Sequence, residues 1–141
     1  MIGRESSGSA AITVLICDDN AAMRSLLRAV VGLSAAMRVI GEAADGEIAI
    51  REAMRLQPDV ILLDLAMPVL SGLDALPQLR EVAPAMKIIV VSGFSTELVA
   101  DRVRELGADT YIEKGAGADT IIAAIEQVVA GAAASVRTDR G

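Results

Sequence analysis

Five short apolar runs, separated by segments of mixed polarity, form the main pattern of hydrophobic and polar positions along the chain. The runs are rich in β-branched residues and cover residues 12–17, 38–43, 60–64, 87–93 and 109–114. Such composition predicts β-strands. Because most of the runs are continuously apolar and do not alternate with polar residues, they are typical of a parallel sheet covered on both faces.

Each run is followed by apolar residues at helical spacing, which predicts five amphipathic helices. Asn20, Asp45 and Ser71 are suitable N-caps for the first three helices. Pro77 lies inside the third helix, where proline costs about 3 kcal/mol, so this helix is expected to begin late or to bend. The residues expected to face the core in the other four helices are Met23, Leu26, Leu27, Val30 and Val31; Ala49, Ile50, Ala53 and Met54; Leu98, Val99, Val103 and Leu106; and Ile121, Ile122, Ile125, Val128 and Val129.

Five strands alternating with five helices predict an α/β fold, a three-layer, doubly wound parallel sheet with strand order 2-1-3-4-5. The pattern covers residues 11–131 and indicates one domain. We expect residues 1–10 to form a flexible lead. The last helix is expected to end at Gly131, which leaves residues 132–141 as a flexible tail or linker remnant.

Composition narrows the function. A chain of 141 residues, 53% of them hydrophobic, fits a single domain without a membrane helix, and its start lacks the apolar segment of a secretory signal. A cytoplasmic location is therefore expected, without membrane contact. The net charge of −6 argues against direct nucleic-acid binding. The absence of histidine removes the commonest general base and zinc ligand, and Cys17, the only cysteine, is expected to be buried.

Polar residues follow four of the five predicted strands. In a parallel sheet the carboxyl ends of the strands open on one edge, where ligands bind. The residues expected at this edge are Asp18 and Asp19 after strand one, Asp64 after strand three, Ser92 and Gly93 after strand four, and Lys114 after strand five. Strand two ends in Glu42, Ala43 and Ala44, which suggest no chemistry.

Three neighbouring carboxylates repel one another and require positive charge. Lys114 supplies one charge, and an all-oxygen site suits Mg²⁺ or Mn²⁺. The Ser92 hydroxyl and the metal could hold the oxygens of a phosphoryl group placed on Asp64, the most central of the acids, and Gly93 leaves space for it. These residues predict a carboxylate that can become an acyl phosphate.

The combined motifs resemble the receiver domain of two-component response regulators, a flavodoxin-like fold. They are D-D after strand one, D followed by M-P after strand three, a hydroxyl residue and then a small one after strand four, and Y-x-x-K in strand five. The resemblance implies that Asp64 accepts a phosphoryl group from a sensor histidine kinase or a phosphotransfer protein. It further implies that Asp19, Asp64 and the Ala66 backbone carbonyl bind Mg²⁺, with Asp18 acting largely through water.

The same resemblance assigns phosphoryl contacts to Ser92, Gly93 and Lys114, and a switching role to Ser92 and Tyr111, whose ring would turn inward. The face made by helix four, strand five and helix five would bind a downstream protein or a second copy of the chain. The domain would catalyse at most its own phosphorylation and dephosphorylation, so it is not expected to be an enzyme.

Three positions depart from the family pattern. Lys114 is followed by G-A-G where many members have proline, a variant similar to receivers that precede LuxR-type DNA-binding domains. Ala66 lies two residues after Asp64, and Phe94 lies two residues after Ser92. Neither side chain can polarise an attacking water, so we hypothesise slow loss of the phosphoryl group.

The same residues fit other interpretations as well. Asp18 and Asp19 could simply cap the first helix, and Ser92-Gly93 could be an ordinary turn. A phosphatase of the haloacid dehalogenase type also uses an aspartyl nucleophile, but it needs a second acid where this chain has Ala66. A flavodoxin-like nucleotide or flavin binder would need a Gly-rich loop after strand one, where residues 17–20 read C-D-D-N.

Overall fold

Strands and helices alternate along the chain in the computed structural model, which describes residues 10–93 and 97–140, with side chains of the last helix as far as Gly131. The strands are β1 (Ile12–Cys17), β2 (Met37–Ala43), β3 (Val60–Leu63), β4 (Lys87–Ser92) and β5 (Thr110–Glu113). The helices are α1 (Ala21–Gly32), α2 (Gly46–Leu56), α3 (Gly72–Val82), α4 (Glu97–Glu105) and α5 (Ala118–Arg140).

The five strands form one parallel sheet in the order β2-β1-β3-β4-β5, which confirms the predicted order. Cys17 at the end of β1 is paired with Leu63 at the end of β3. The pairing continues one residue further, because the Asp64 amide donates to the Cys17 carbonyl at 2.9 Å. The residues that follow β1 and β3 therefore leave the sheet side by side.

Two hydrophobic cores cover the faces of the sheet. Successive residues of a strand point to opposite faces, so both faces of the central strands are apolar. The core beneath α2, α3 and α4 takes Leu15, Cys17, Ile61, Leu63, Ile88 and Val90 from the sheet. The core beneath α1 and α5 takes Val14, Ile16, Val60, Leu62, Ile89 and Val91. Burial raises the pKa of the Cys17 thiol, which fits the expected core role.

The predicted N-caps are confirmed. Asn20, Asp45 and Ser71 each accept a hydrogen bond from the amide three residues later, at 2.9, 2.9 and 3.1 Å. Because α3 begins at Gly72, directly after Ser71, the late start considered for this helix is wrong, and Pro77 lies in its interior. The bend at Pro77 stays a prediction.

Three side chains expected to face the core are exposed instead. Leu26, Met54 and Leu98 have 54%, 56% and 81% of their surface accessible. Each lies at the margin of an otherwise correct apolar stripe, and a helix packed on a sheet buries only the centre of its stripe. Sequence periodicity fixes the direction of that stripe but not its buried width.

The structure describes the last helix of the chain but almost none of its first ten residues. Helix α5 continues to Arg140, beyond the end predicted at Gly131. The alanine-rich residues that follow are strong helix formers, and one glycine costs a helix only about 1 kcal/mol. The flexible lead proposed for residues 1–10 lies almost entirely outside the described residues. Among the described helices, none has the length and apolarity needed to cross a membrane.

Candidate functional site

The polar residues predicted to meet at the carboxyl edge of the sheet do meet there. They border an open cavity of about 540 Å³ at the ends of β1, β3, β4 and β5. The residues lining it are Asp19, Asn20, Asp64, Ala66, Ser92, Gly93 and Lys114. We call this cavity the acidic crevice. Phe94, which was expected to favour slow loss of the phosphoryl group, lies outside the described residues.

Lys114 bridges the two buried acids of the crevice. Its ammonium nitrogen lies 2.9 Å from Asp18 Oδ2 and 3.3 Å from Asp64 Oδ2. Asp18 and Asp64 are only 1% and 4% exposed, whereas Asp19 is exposed to solvent. Since a buried carboxylate is costly without a partner, this lysine is the charge that the described structure supplies to the pair.

Backbone contacts fix Asp18 at the end of β1. Its amide donates to the Ala43 carbonyl at 3.0 Å, which extends the pairing with β2. Its Oδ1 accepts a hydrogen bond from the Asn20 amide at 2.9 Å. Its carbonyl accepts from Arg24 Nη1 at 2.8 Å. Two backbone contacts and one carboxylate contact thus hold Asp18 in place while its Oδ2 faces Lys114.

Arg24 and Glu42 support this arrangement and were not found from the sequence. Arg24 Nε donates to Glu42 Oε1 at 3.0 Å, and Arg28 Nη2 lies 2.6 Å from Glu42 Oε2. Burial alone would raise the pKa of Glu42, but hydrogen bonds from the two arginines outweigh it and lower the pKa. The partners are 18 residues apart in sequence, so no local motif marks the pair.

The position of Asp64 depends on a close approach between β3 and α3. The Gly72 amide donates to the Leu65 carbonyl at 2.8 Å. A Cβ atom at residue 72 would overlap the Asp64 carbonyl oxygen, so only glycine fits there without a shift of the backbone. Ala66 N lies 3.4 Å from Asp64 Oδ1, a long contact that leaves this oxygen available.

The loop between β3 and α3 contains a strained residue. Val69 is β-branched and has φ of 67°, a conformation that such residues rarely adopt. The turn is closed by the Leu70 amide, which donates to the Pro68 carbonyl at 2.7 Å. It is anchored by the Gly46 amide, which donates to the Leu70 carbonyl at 2.9 Å. The loop that carries Ala66 is therefore fixed to the start of α2.

Burial and neighbouring charges shift the pKa values of Asp64 and Lys114 in the crevice. Burial raises the pKa of Asp64, and the charge of Asp18 raises it further, while Lys114 partly opposes both. Burial alone would lower the pKa of Lys114, but its hydrogen bond to Asp18 and the charge of Asp64 outweigh this and raise the pKa. The lysine is thus firmly cationic, and Asp64 is more basic than an ordinary aspartate.

The acids also form a group of suitable size for a metal ion. Asp18, Asp19 and Asp64 each offer a carboxylate oxygen, and these atoms lie within 4.8 Å of one another. An oxygen-only donor set of high negative charge, open to water at Asp19, fits a hard divalent cation such as Mg²⁺. The residues present therefore fit the cation that the sequence predicted.

Ser92 and Tyr111 lie on the side of the crevice formed by β4 and β5. Ser92 is buried, and its carbonyl accepts a hydrogen bond from the Lys114 amide at 2.8 Å. The buried Tyr111 hydroxyl has no well-formed hydrogen bond within the described part of the chain. Burial raises the pKa of Tyr111, and the nearby Ser92 hydroxyl partly opposes this. Gly115 supplies the turn after Lys114 with φ of 96°.

Comparisons with a family model and with known proteins agree on one protein family. The family model described as "Response regulator receiver domain" matches residues 14–126. Response regulator GacA of Pseudomonas aeruginosa is 35% identical over 120 residues, which are 85% of this chain and 56% of that protein. A protein-glutamate methylesterase/protein-glutamine glutaminase of Caldanaerobacter subterraneus subsp. tengcongensis is 40% identical over 119 residues, or 83% of this chain and 32% of that protein.

A solved structure agrees with these relatives. The crystal structure of a LuxR-family two-component response regulator from Aurantimonas sp. superposes with a TM-score of 0.82 at 26% identity, covering 86% of this chain and 87% of that one. The chain spans about half of GacA and about a third of the methylesterase. The match therefore concerns only part of each of these two relatives. The chain belongs to the response regulator receiver domain family.

Proposed function

We propose that Asp64 is the phosphoacceptor of this receiver domain. The observation that carries the proposal is the environment of its carboxylate. Asp64 is almost fully buried at the end of a central strand, beside Asp18, and its Oδ2 lies 3.3 Å from the Lys114 ammonium. Of the three acids, Asp18 is hydrogen-bonded on both carboxylate oxygens and Asp19 is exposed. Asp64 keeps a carboxylate oxygen that lacks a short hydrogen bond.

The reaction is transfer of a phosphoryl group from a phosphohistidine of a sensor kinase or phosphotransfer protein. A carboxylate oxygen of Asp64 forms a bond to phosphorus while the phosphorus–nitrogen bond of the donor breaks. The donor imidazole leaves with the electron pair and keeps or takes up a proton. The raised pKa of Asp64 makes its carboxylate a better nucleophile once it is ionised.

We infer that Asp18, Asp19 and Asp64, with the backbone carbonyl of Ala66, hold Mg²⁺ or Mn²⁺. The close spacing of the three acids supports this assignment. When bound, the cation offsets the repulsion between the acids and the charge of the transferred group. Asp18 keeps its hydrogen bond from the Asn20 amide and acts on the metal largely through water.

Ser92, Gly93 and Lys114 contact the phosphoryl oxygens in this proposal. Lys114 is already held between Asp18 and Asp64, so its ammonium needs little movement to reach a group on Asp64. A Cβ at Gly93 would meet no atom within 4 Å, so the glycine leaves open space beside Ser92. Ser92 and Tyr111 then form the switch, since the buried tyrosine hydroxyl lies near the serine.

The partners follow from the same site. A histidine kinase or phosphotransfer protein supplies the phosphoryl group, and a downstream protein or a second copy binds the face made by α4, β5 and α5. The net charge of −6 argues against direct contact of this domain with nucleic acid. The likeness to a LuxR-family structure favours, as a more specific alternative, the receiver part of a DNA-binding regulator.

We infer that the domain is not an independent enzyme. The methylesterase relative is matched over only 32% of its length. An aspartyl-nucleophile phosphatase would require an acid two residues after Asp64, and Ala66 stands there. Any turnover would therefore be limited to the domain's own phosphorylation and dephosphorylation.

The test is incubation with acetyl phosphate and Mg²⁺, followed by intact mass spectrometry. We expect wild type to gain one phosphoryl group, Asp64→Asn to gain none, and removal of Mg²⁺ by EDTA to abolish the gain. Asp101→Asn, which removes an exposed acid on α4, serves as the matched control and should be labelled like wild type. Labelling that persists in Asp64→Asn would assign the acceptor elsewhere, and steady phosphate release from several phosphomonoesters would favour a phosphatase.

A further inference from the structure

Arg24 reaches from α1 to the loop that connects β1 with this helix. Its Nη1 donates to the Asp18 carbonyl at 2.8 Å, and its Nε donates to Glu42 Oε1 on β2 at 3.0 Å. The side chain is only 21% exposed. One guanidinium thus joins the first helix, an edge strand of the sheet and the backbone of the acidic crevice.

The carbonyl that Arg24 holds belongs to the peptide unit between Asp18 and Asp19. A peptide unit is planar and moves as one rigid group, so a hydrogen bond to its oxygen also restrains the two Cα atoms at its ends. The carboxylates of Asp18 and Asp19 both extend from these Cα atoms. The preceding peptide unit is restrained as well, because the Asp18 amide donates to the Ala43 carbonyl at 3.0 Å. Arg24 therefore limits the directions in which the adjacent acids can point.

Glu42 orients the guanidinium of Arg24 and offsets its charge. The second oxygen of this carboxylate, Oε2, accepts from Arg28 Nε at 2.7 Å, so both arginines hold Glu42 in place. A guanidinium is a rigid, planar fork of donors, and the hydrogen bond at Nε therefore helps to set the direction of Nη1. A lysine at position 24 would carry the same charge on a single ammonium group, without the fork.

We propose that Arg24 is a positioning residue for the divalent cation, because it holds the peptide unit that carries two of the three acids of the crevice. This inference rests on the metal site of the proposed function. The carboxylate oxygens of Asp18, Asp19 and Asp64 lie within 4.8 Å of one another. Mg²⁺ demands nearly ideal octahedral geometry, so rotation of this peptide unit weakens its binding. Removing a group that orients metal ligands typically lowers metal affinity by about 10- to 100-fold.

The charge of Arg24 by itself predicts the opposite effect. A cation beside three carboxylates repels a second cation, so removing that charge while the acids stay in place would strengthen Mg²⁺ binding. Loss of positioning weakens Mg²⁺ binding instead. The sign of the change in the Kd for Mg²⁺ therefore distinguishes a positioning role from a purely electrostatic one.

The test is isothermal titration calorimetry of the full chain with MgCl₂, without a phosphoryl donor. We expect Arg24→Met, which keeps the aliphatic stem, to raise the Kd for Mg²⁺ by about tenfold or more. Arg24→Lys keeps the charge and should still raise the Kd by about fivefold, because the ammonium lacks the fork. The matched control is Arg28→Met. Within the described part of the chain the hydrogen bonds of Arg28 go to Glu42, so its Kd should change by less than about twofold.

Urea denaturation without metal separates positioning from a general loss of stability. Both arginines bond to Glu42, so Arg24→Met and Arg28→Met should both lower the midpoint of unfolding, while only Arg24→Met loses Mg²⁺ affinity. If Arg24→Met does not fold, Arg24→Lys decides the question, and a wild-type Kd in that variant would overturn the proposal.

The remaining outcomes distinguish this inference from the proposed function. An unchanged or lower Kd in Arg24→Met would overturn the positioning role, and so would an equal rise in Arg28→Met. Absence of Mg²⁺ binding in wild type would overturn the proposed metal site and the role of Arg24 with it. Wild type that binds Mg²⁺ but gains no phosphoryl group from acetyl phosphate would count against Asp64 as acceptor, while the comparison of Kd values would still decide the role of Arg24.

Discussion

Asp64 is distinguished from Asp18 and Asp19 by the atoms around its carboxylate. Asp18 is fixed by the Asn20 amide and by Lys114, and Asp19 is exposed to water. Asp64 is buried beside a like charge, which raises its pKa, and it shares the lysine at the longer distance of 3.3 Å. A carboxylate that is held in place but has no short hydrogen bond is suited to accept a phosphoryl group.

Ala66 is expected to determine how long a phosphoryl group survives on Asp64. A methyl side chain lines the crevice where a polar residue could position an attacking water. We predict that Ala66→Asn shortens the half-life of the phosphorylated protein by about tenfold, because the asparagine side chain can position an attacking water. The decay is followed by intact mass after the donor is removed. A wild-type half-life of seconds that Ala66→Asn leaves unchanged would contradict the hypothesis of slow dephosphorylation.

Gly72 is expected to be essential for the backbone around Asp64. In Gly72→Ala the new Cβ would overlap the Asp64 carbonyl oxygen, so β3 or α3 must shift. We predict a loss of about 3 kcal/mol in the free energy of unfolding, measured by urea denaturation, together with slower labelling of Asp64. The control is Gly32→Ala in α1, where a Cβ meets nothing within 4 Å. That variant should be neutral or slightly stabilising, and equal losses in both would refute the steric argument.

At the scale of elements, α1 and β2 are joined by the pair of arginines that hold Glu42. Arg24 extends this contact to the Asp18 carbonyl, so the link reaches the acidic crevice. The sequence indicated the N-cap of α1 but gave no reason to connect Arg24 with the end of β2. The connection exists because the parallel pairing of β1 and β2 places residue 42 beside the first turns of the helix.

The Glu42 contact should make stability depend on pH in a defined direction. The folded pKa of Glu42 lies below its ordinary value of 4.5, so the stabilisation is present above 4.5 and is lost as pH falls through the folded pKa. We predict that Glu42→Gln costs about 1 kcal/mol near neutral pH and that the difference from wild type narrows in acid. Urea denaturation across this range measures it, with exposed Glu126→Gln as control. A difference that stays constant with pH would contradict the assignment.

At the scale of the whole molecule, the parallel sheet gathers residues from distant parts of the chain at one edge. One hydrophobic core covers each face of the sheet and holds the strands in place. The carboxyl ends of the strands therefore lie together at one edge. This brings Asp18, Asp64 and Lys114 into contact across almost a hundred residues of sequence. We expect the resulting concentration of negative charge to couple the stability of the whole domain to the proposed cation.

Mg²⁺ is therefore expected to stabilise the folded domain. A ligand at about 100 times its Kd contributes about 2.7 kcal/mol if it binds only the folded state. We predict that saturating Mg²⁺ raises Tm by about 5 °C or more and that EDTA reverses the rise. Asp19→Asn should lose most of this response with little change in Tm without metal, because Asp19 is exposed, whereas Asp101→Asn should retain it. An equal rise in both variants would indicate unspecific ion effects.

The sequence by itself determined the order of strands and helices, their N-caps and the identity of the polar residues at the strand ends. It could do so because hydrophobic periodicity, capping and strand ends are local properties of the chain. The tertiary structure alone decided that Leu98 is exposed, that Arg24 reaches Asp18 and that Arg80 holds the turn after α4. These features depend on which elements pack together and how closely, and packing joins residues far apart in sequence that no local pattern relates.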